Sequence, residues 1–303
     1  MEITFIVALP FILAMAILPL RSKLSSSAQG WLLSASMVLL FLIALLQLPA
    51  VIQNDALIYS QNWVEDLQLN ITLYLDGLSL LFVLIVTGIG AVIVFYAGHY
   101  FTDAHKSGRF LSLLLAFTGS MLALVLSGNV ITLFISWELT SIISFLLISF
   151  YGNEAKARSG ALQALIITGG GGLALFIGLM LLGTASGSME LSEILASRTA
   201  IQESPFFIAI SVLIFVGCFT KSAQWPFHFW LPDAMSAPTP ASAFLHSATM
   251  VKAGIYLLAR LYPVLGDTPI WTNTLLTVGL FTMLYSSLVA LRQRDLKGCL
   301  AFS

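Results

Sequence analysis

Apolar residues run along this chain in long uninterrupted stretches, separated by short polar joints. A helix needs about 20 apolar residues to cross a hydrocarbon core of about 30 Å. Runs of that kind fall at 3–20, 31–52, 71–97, 110–127, 130–151, 161–183, 205–224, 241–262 and 270–291, and a tenth opens near Asp295. Stretches such as Leu78 to Tyr96 lack the period-two alternation of a lipid-facing strand, so the runs read as helices. Gly128 and Asn129, between the fourth and fifth runs, signal a tight turn. The expected fold class is an all-α polytopic membrane protein.

The joints carry most of the charge. Those after the first, third, fifth and ninth runs hold Arg21 and Lys23, Lys106 and Arg109, Lys156 and Arg158, and Arg292, Arg294 and Lys297. Those after the second, fourth, sixth and eighth hold only Arg198 and Arg260. Nine bases against two predict that the N-terminus lies outside. The 54–70 joint is then external and carries Asp55, Glu65 and Asp66 with no base. Residues 189–195 alternate Leu191, Ile194 and Leu195 with Glu190 and Glu193, which predicts a short amphipathic surface helix.

Composition agrees with a membrane location. Of 303 residues, 58% are hydrophobic and 9% are charged, against about 25% charged in a soluble domain. A net charge of −1 offers no basic field for nucleic acid. Cys218 and Cys299 sit in apolar runs and suggest neither a disulfide framework nor a thiolate metal site. The first run begins after Glu2 and has no basic n-region, unlike a cleavable signal. No cofactor and no metal are expected.

Candidate chemistry comes from ionisable residues inside the apolar runs. Glu138, in Ser136-Trp137-Glu138-Leu139-Thr140, lies roughly 12 Å along its helix from the nearer end. A carboxylate at that depth costs several kcal/mol unless paired or protonated, so it reads as an ion-path group before a structural ion pair or cap. Lys221 precedes Pro226, which ends or kinks its helix. Broken helices at membrane depth must be shielded by protein or line a wet cavity. A lysine there whose carboxylate partner can move is a proton switch; the alternative is snorkelling to the surface. Residues 224–241 hold four prolines, several aromatics, His228 and Asp233, so they form no single helix, and Asp233 is expected to satisfy backbone amides at a turn.

His246 and Lys252 share the eighth run, about 9 Å apart along the axis and about 120° apart around it. His246 is either a proton relay or a brace to a neighbouring helix. Lys252 lies deep in apolar sequence, where a surface role is hard to sustain. Gly169 to Gly172 lack the strand–turn–helix setting of a nucleotide loop and indicate close helix packing or a local break.

Trp137-Glu138-Leu139, Lys221-Ser222-Ala223-Gln224, the run from Pro226 to Arg260, and DLKGCLAFS at 295–303 together carry a family resemblance. The chain resembles the antiporter-like membrane subunits shared by respiratory complex I and the multisubunit Na+/H+ antiporters. Tyr74 to Phe82 and ATMVKAG around Lys252 are similar to the large A subunit of the antiporter, in its N-terminal part. The resemblance implies an antiporter-like bundle with a discontinuous seventh helix, truncated before the second inverted repeat. It divides the chain into 1–109 (three N-terminal helices), 110–262 (a first five-helix repeat) and 263–303 (a ninth helix and the start of a tenth). It implies that Glu138 pairs with Lys221, that His246 relays protons inward, and that Lys297 opens the next part of the proton path, with Lys252 a further proton-transfer candidate. The implied function is monovalent cation (Na+)/proton antiport at the cell membrane, beside other membrane subunits and lipid. The alternative is a proton-pumping subunit of an NADH–quinone oxidoreductase or membrane-bound hydrogenase-type complex. The tenth segment's abrupt end at Ser303 suggests the front portion of a longer chain.

Overall fold

The long apolar runs satisfy their backbone polar groups internally, as lipid requires, and polar joint residues cap them. The structure is a computed structural model and describes residues 2–54, 56–64 and 69–303. Helices α1 (Glu2–Leu20), α2 (Ser26–Leu46) and α3 (Leu48–Asn54) lead into strands β1 (Ala56–Val64) and β2 (Leu69–Asp76). Helices α4 (Gly77–Tyr100), α5 (Ala104–Leu126), α6 (Val130–Ile148) and α7 (Ala155–Ser186) follow, then the short α8 (Leu191–Ala196) and α9 (Arg198–Gln202). The chain continues through α10 (Phe207–Lys221), α11 (Trp230–Ala234), α12 (Thr239–Ser242), α13 (Met250–Leu265), α14 (Pro269–Ala290) and α15 (Leu296–Phe302). Asp76, Asp103 and Asn129 cap α4, α5 and α6 by accepting from the backbone N–H groups of Ser79, His105 and Ile131.

Among the described residues, 8 helical segments are long and apolar enough to span a membrane. The seventh expected span is the short exception, because α10 stops at Lys221. Helices α5, α6, α7, α10 and α13 pack in sequence, and α13 returns against α5 to close a ring. Helix α4 packs on α5 and on the segment before α13, while α1 and α2 lie outside α5 and α4. The amphipathic helix expected near 189–195 is α8, which buries Leu191 and Ile194.

The third expected span starts later than its hydropathy suggests. Residues 69–76 alternate Leu69, Ile71, Leu73 and Leu75 with Asn70, Thr72, Tyr74 and Asp76, a strand period that a span-length window absorbs. The resulting antiparallel hairpin pairs Ser60 with Thr72, whose hydroxyls lie 2.9 Å apart. Its inner edge accepts the Gly128 N–H at Thr72 O, so the hairpin seals the α5–α6 turn. Asp55, Glu65 and Asp66 lie outside the described residues.

Of the two alternatives for the glycines at 169–172, close packing holds at Gly171 and Gly172, and α7 runs unbroken for 32 residues. The eighth span is itself interrupted: Ala243–Ala248 form a π-helical turn and Thr249 leaves helical geometry before α13 begins. His246 and Lys252 therefore do not share one regular helix.

Arg260, counted above among the joint bases, is inside α13 and only 3% exposed. Its guanidinium forms a two-toothed ion pair with Asp76, with Nη2 at 2.8 Å from Oδ1, and Nη2 also donates to Ser79 Oγ at 2.6 Å. Tyr256 and Ser79 hydroxyls both donate to Val125 O, tying α4, α5 and α13 together at one end of the bundle. At Asp76, burial opposes ionisation, but the Arg260 hydrogen bonds and charge prevail and hold the carboxyl below its ordinary value.

Candidate functional site

The break after α10 exists because Pro226 has no N–H to continue the helix and Trp230 closes the exposed end, its indole N–H donating to Thr220 O at 2.9 Å. Lys221 is the last residue of α10 and is fully buried. Its Nζ donates to Trp137 O at 2.9 Å and to Ser141 Oγ at 2.7 Å, and lies 4.9 Å from the centre of the Trp137 ring. The ammonium thus rests on α6 through a carbonyl, a hydroxyl and a π face, each an attractive partner for a cation.

Glu138 follows Trp137 on α6 and feels the charge of Lys221 through space. The two do not form a contact ion pair; among the described residues the ion pairs are Arg198–Asp267 and Arg260–Asp76. The expected Glu138–Lys221 pair is therefore corrected to two neighbouring ionisable groups without direct contact, the lysine resting on Trp137 O and Ser141 instead. Glu138 Oε1 is buried and, among the described residues, has no hydrogen-bond partner. Gly171 and Gly172 explain the close fit of α7 here: a β-carbon on Gly171 would overlap Thr220 Oγ1, and one on Gly172 would overlap Glu138 Oε1.

Beyond the break lies a cavity of about 390 Å³, lined among others by Gln224, His228, His246, Ser247, Lys252 and Thr282. Both ring nitrogens of His246 are buried without a partner, and its ring meets Trp230 edge-on at 6.1 Å. Lys252 is exposed at the cavity rim and not enclosed in the span as expected. His228 stands against Tyr285 at 4.9 Å between ring centres. Lys297, on α15, donates to the carbonyls of Met235 and Ala237 at 3.1 and 2.9 Å, and its charge reaches His246. It satisfies carbonyls that the broken segment leaves open. Asp233, expected to satisfy backbone amides at a turn or helix start, sits inside α11 with an exposed side chain, and it is its backbone carbonyl that accepts from Ser236 Oγ.

The five candidates thus form two groups: Glu138 and Lys221 in the ring of helices, and His246, Lys252 and Lys297 around the broken segment. Sequence reasoning missed Ser141 and the Asp76–Arg260 pair, and it read Gly172 for close helix packing without placing it against Glu138. Ser141 stands three residues after Glu138, and so on the same helix face, which was a usable signal.

Residues 127–303 match the family described as NADH:quinone oxidoreductase/Mrp antiporter, TM. Residues 62–111 match the NADH-Ubiquinone oxidoreductase (complex I), chain 5 N-terminus. The chain is 49% identical over 276 residues to a probable K(+)/H(+) antiporter A/B subunit of Rhizobium meliloti, covering 91% of this chain and 28% of that protein. It is 47% identical over 297 residues to the Na(+)/H(+) antiporter A1 subunit of Staphylococcus haemolyticus, covering 98% of this chain and 37% of that one. The chain therefore spans roughly a third of the length of these relatives. A chain in the structure of the Mrp complex from Dietzia sp. DQ12-45-1b superposes with a TM-score of 0.91 at 38% identity, covering 100% of this chain and 32% of that one. A chain of an archaeal membrane-bound sulfane sulfur reductase shares the fold, with a TM-score of 0.82 at 24% identity, over 99% of this chain and 61% of that one. With a broken helix that ends on a buried lysine beside a membrane carboxylate, and with these matches, the chain belongs to the NADH:quinone oxidoreductase/Mrp antiporter transmembrane family.

Proposed function

We infer that this chain forms the proton-handling front part of a membrane subunit in a multisubunit monovalent cation/proton antiporter. The observation that carries the reading is Lys221, a buried ammonium at a helix break held by neutral acceptors. Losing its proton leaves no anion in direct contact, so the site tolerates both protonation states better than a tight ion pair does. Glu138, with one oxygen unpartnered, is the second proton holder. His246, Lys252 and Lys297 continue the path through the cavity around the break. Residues 110–262 act as the working unit, flanked by 1–109 and 263–303.

The basic joints support an N-terminus on the outer side of the cell membrane. Other membrane subunits and lipid surround the bundle. Na+ is the cation favoured, on the name of the staphylococcal relative; the Rhizobium relative's name makes K+ the comparison. The test is cation-driven proton movement in inverted vesicles carrying the whole assembly. Sodium-dependent proton movement is expected, with Glu138→Gln and Lys221→Ala each abolishing it while assembly persists. Wild-type movement in both variants would remove the reading.

A second reading is a proton-pumping subunit of a redox-driven complex, favoured by the match of residues 62–111 to a complex I component. It predicts proton movement that follows electron donor and quinone and ignores added Na+ or K+.

A further inference from the structure

At the end of the bundle away from the hairpin, the α1–α2 joint, the start of α5 and the α6–α7 joint surround a pocket of about 640 Å³. Its lining includes Arg21, Lys106, Arg109, Phe150, Tyr151 and Glu154. Three basic side chains and one carboxylate line it, and among the described residues none of the three is in an ion pair. Cations that line one pocket repel one another unless an anion joins them.

The pocket is built and not an accident of loose side chains. Gln29 is fully buried, and its amide nitrogen lies 3.2, 3.0 and 3.2 Å from the carbonyls of Arg21, Leu24 and Ala104. That locks the backbone carrying Arg21 to the backbone that opens α5. Gly108 lets the Arg21 side chain lie directly on α5, one residue from Arg109. On the opposite wall, Arg158 donates to Gly152 O at 2.7 Å and pins the α6–α7 joint. Arg109 extends over the Phe150 ring at 5.5 Å, so its charge is held at an apolar edge.

We propose that this pocket binds the phosphate headgroup of an anionic membrane lipid. The cations supply the charge and hydrogen bonds a phosphodiester needs. Their level supplies the rest: they stand where apolar spans end, beside Phe150 and Tyr151 at the depth of an aromatic belt, where a lipid presents phosphate above its acyl chains. A free phosphate shares the headgroup chemistry but has no use for the apolar edge. The site is separate from the proton path and stands whether or not the transport reading holds.

The test uses the protein purified in its membrane assembly, delipidated, and examined by native mass spectrometry with added phosphatidylglycerol, phosphatidylcholine or inorganic phosphate. Phosphatidylglycerol adducts are expected to fall about fivefold for each of Arg21→Ala, Lys106→Ala and Arg109→Ala, with phosphatidylcholine unable to replace them. Undiminished adducts in the triple variant would overturn the proposal. Displacement of the lipid by millimolar phosphate would reassign the pocket to a soluble anion. Should the triple variant fail to assemble, a photoreactive phosphatidylglycerol decides the matter in the wild-type assembly. Crosslinks at 105–109 or 149–154 are expected; none there, as when an acidic partner segment fills the pocket, overturns it.

Discussion

Gly172 stands where any β-carbon would overlap the carboxylate of Glu138. The absence of a side chain on α7 is what gives that buried oxygen its room, so the glycine belongs to the site as much as the acid does. Gly172→Ala is expected to displace the carboxylate and lower transport at least tenfold while the assembly still forms. Among the described residues a β-carbon at Gly169 or Gly170 would meet nothing within 4 Å, so alanine at either position is expected to leave transport unchanged and to strengthen α7 by about 0.5–1 kcal/mol. Proton movement normalised to assembled protein checks both; equal loss at all three positions would show that α7 flexibility, not the space at Gly172, was removed.

Lys221 separates charge from proton release. Lys221→Arg keeps a cation able to reach Trp137 O and Ser141 but hardly gives up a proton, so assembly is expected to survive and transport to stop. Ser141→Ala removes one of the two hydrogen bonds to the ammonium, a loss of about 1.5–3 kcal/mol for a bond to a charged group. A shifted pH–rate profile is the expected signature, since the balance between protonated and neutral lysine changes. An unmoved profile in Ser141→Ala would mean that this balance does not limit the rate.

The Asp76–Arg260 pair yields a prediction about stability. Asp76→Asn leaves Arg260 buried without its counter-charge and is expected to cost about 3–5 kcal/mol, read as a lowered thermal midpoint. The Asp76 carboxyl titrates below its ordinary value in the fold, so its contribution is complete above the unfolded value of about 4 and is lost as pH falls through the lower, folded one. Between pH 6 and 8 this contribution is constant. A difference in stability between wild type and Asp76→Asn that varies across that window would contradict the assignment.

Asn62 and Asn153 are exposed, near opposite ends of α6, a helix about 28 Å long. Single cysteines at these positions, with the exposed Cys299 replaced by serine, are expected to react with an impermeant reagent from opposite sides of the membrane. Position 62 should label in intact cells and position 153 only in inverted vesicles. The reverse pattern would invert the proposed orientation.

Much of the bundle was legible because lipid enforces a simple code of long apolar runs and polar joints. The break at Lys221 was legible too, since Pro226 cannot continue a helix. The π turn at 243–248 was not: residues 241–249 contain no proline, and an extra residue per turn leaves no mark on an apolar pattern. The hairpin was written in the alternation from Leu69 to Asp76, but a window tuned to spans averaged it away. The Asp76–Arg260 pair joins residues 184 positions apart, and nothing local couples an aspartate at a strand end to an arginine in a later helix. Glu138 and Lys221 were identifiable from their depth, whereas their lack of direct contact shows only in the packing that rests the lysine on Trp137 O and Ser141.

The ion pair on Arg260 also turns α13 into a lever. Its fulcrum is the clamp to α4, and its far end is the buried Met250, about 15 Å away, immediately past the kink at Thr249. A tilt of about 5° around that fulcrum carries the far end by about 1.3 Å, while residues beside the clamp scarcely move. In such a tilt the displacement would grow toward the π turn that carries His246 and would be smallest at the hairpin end, beside the clamp.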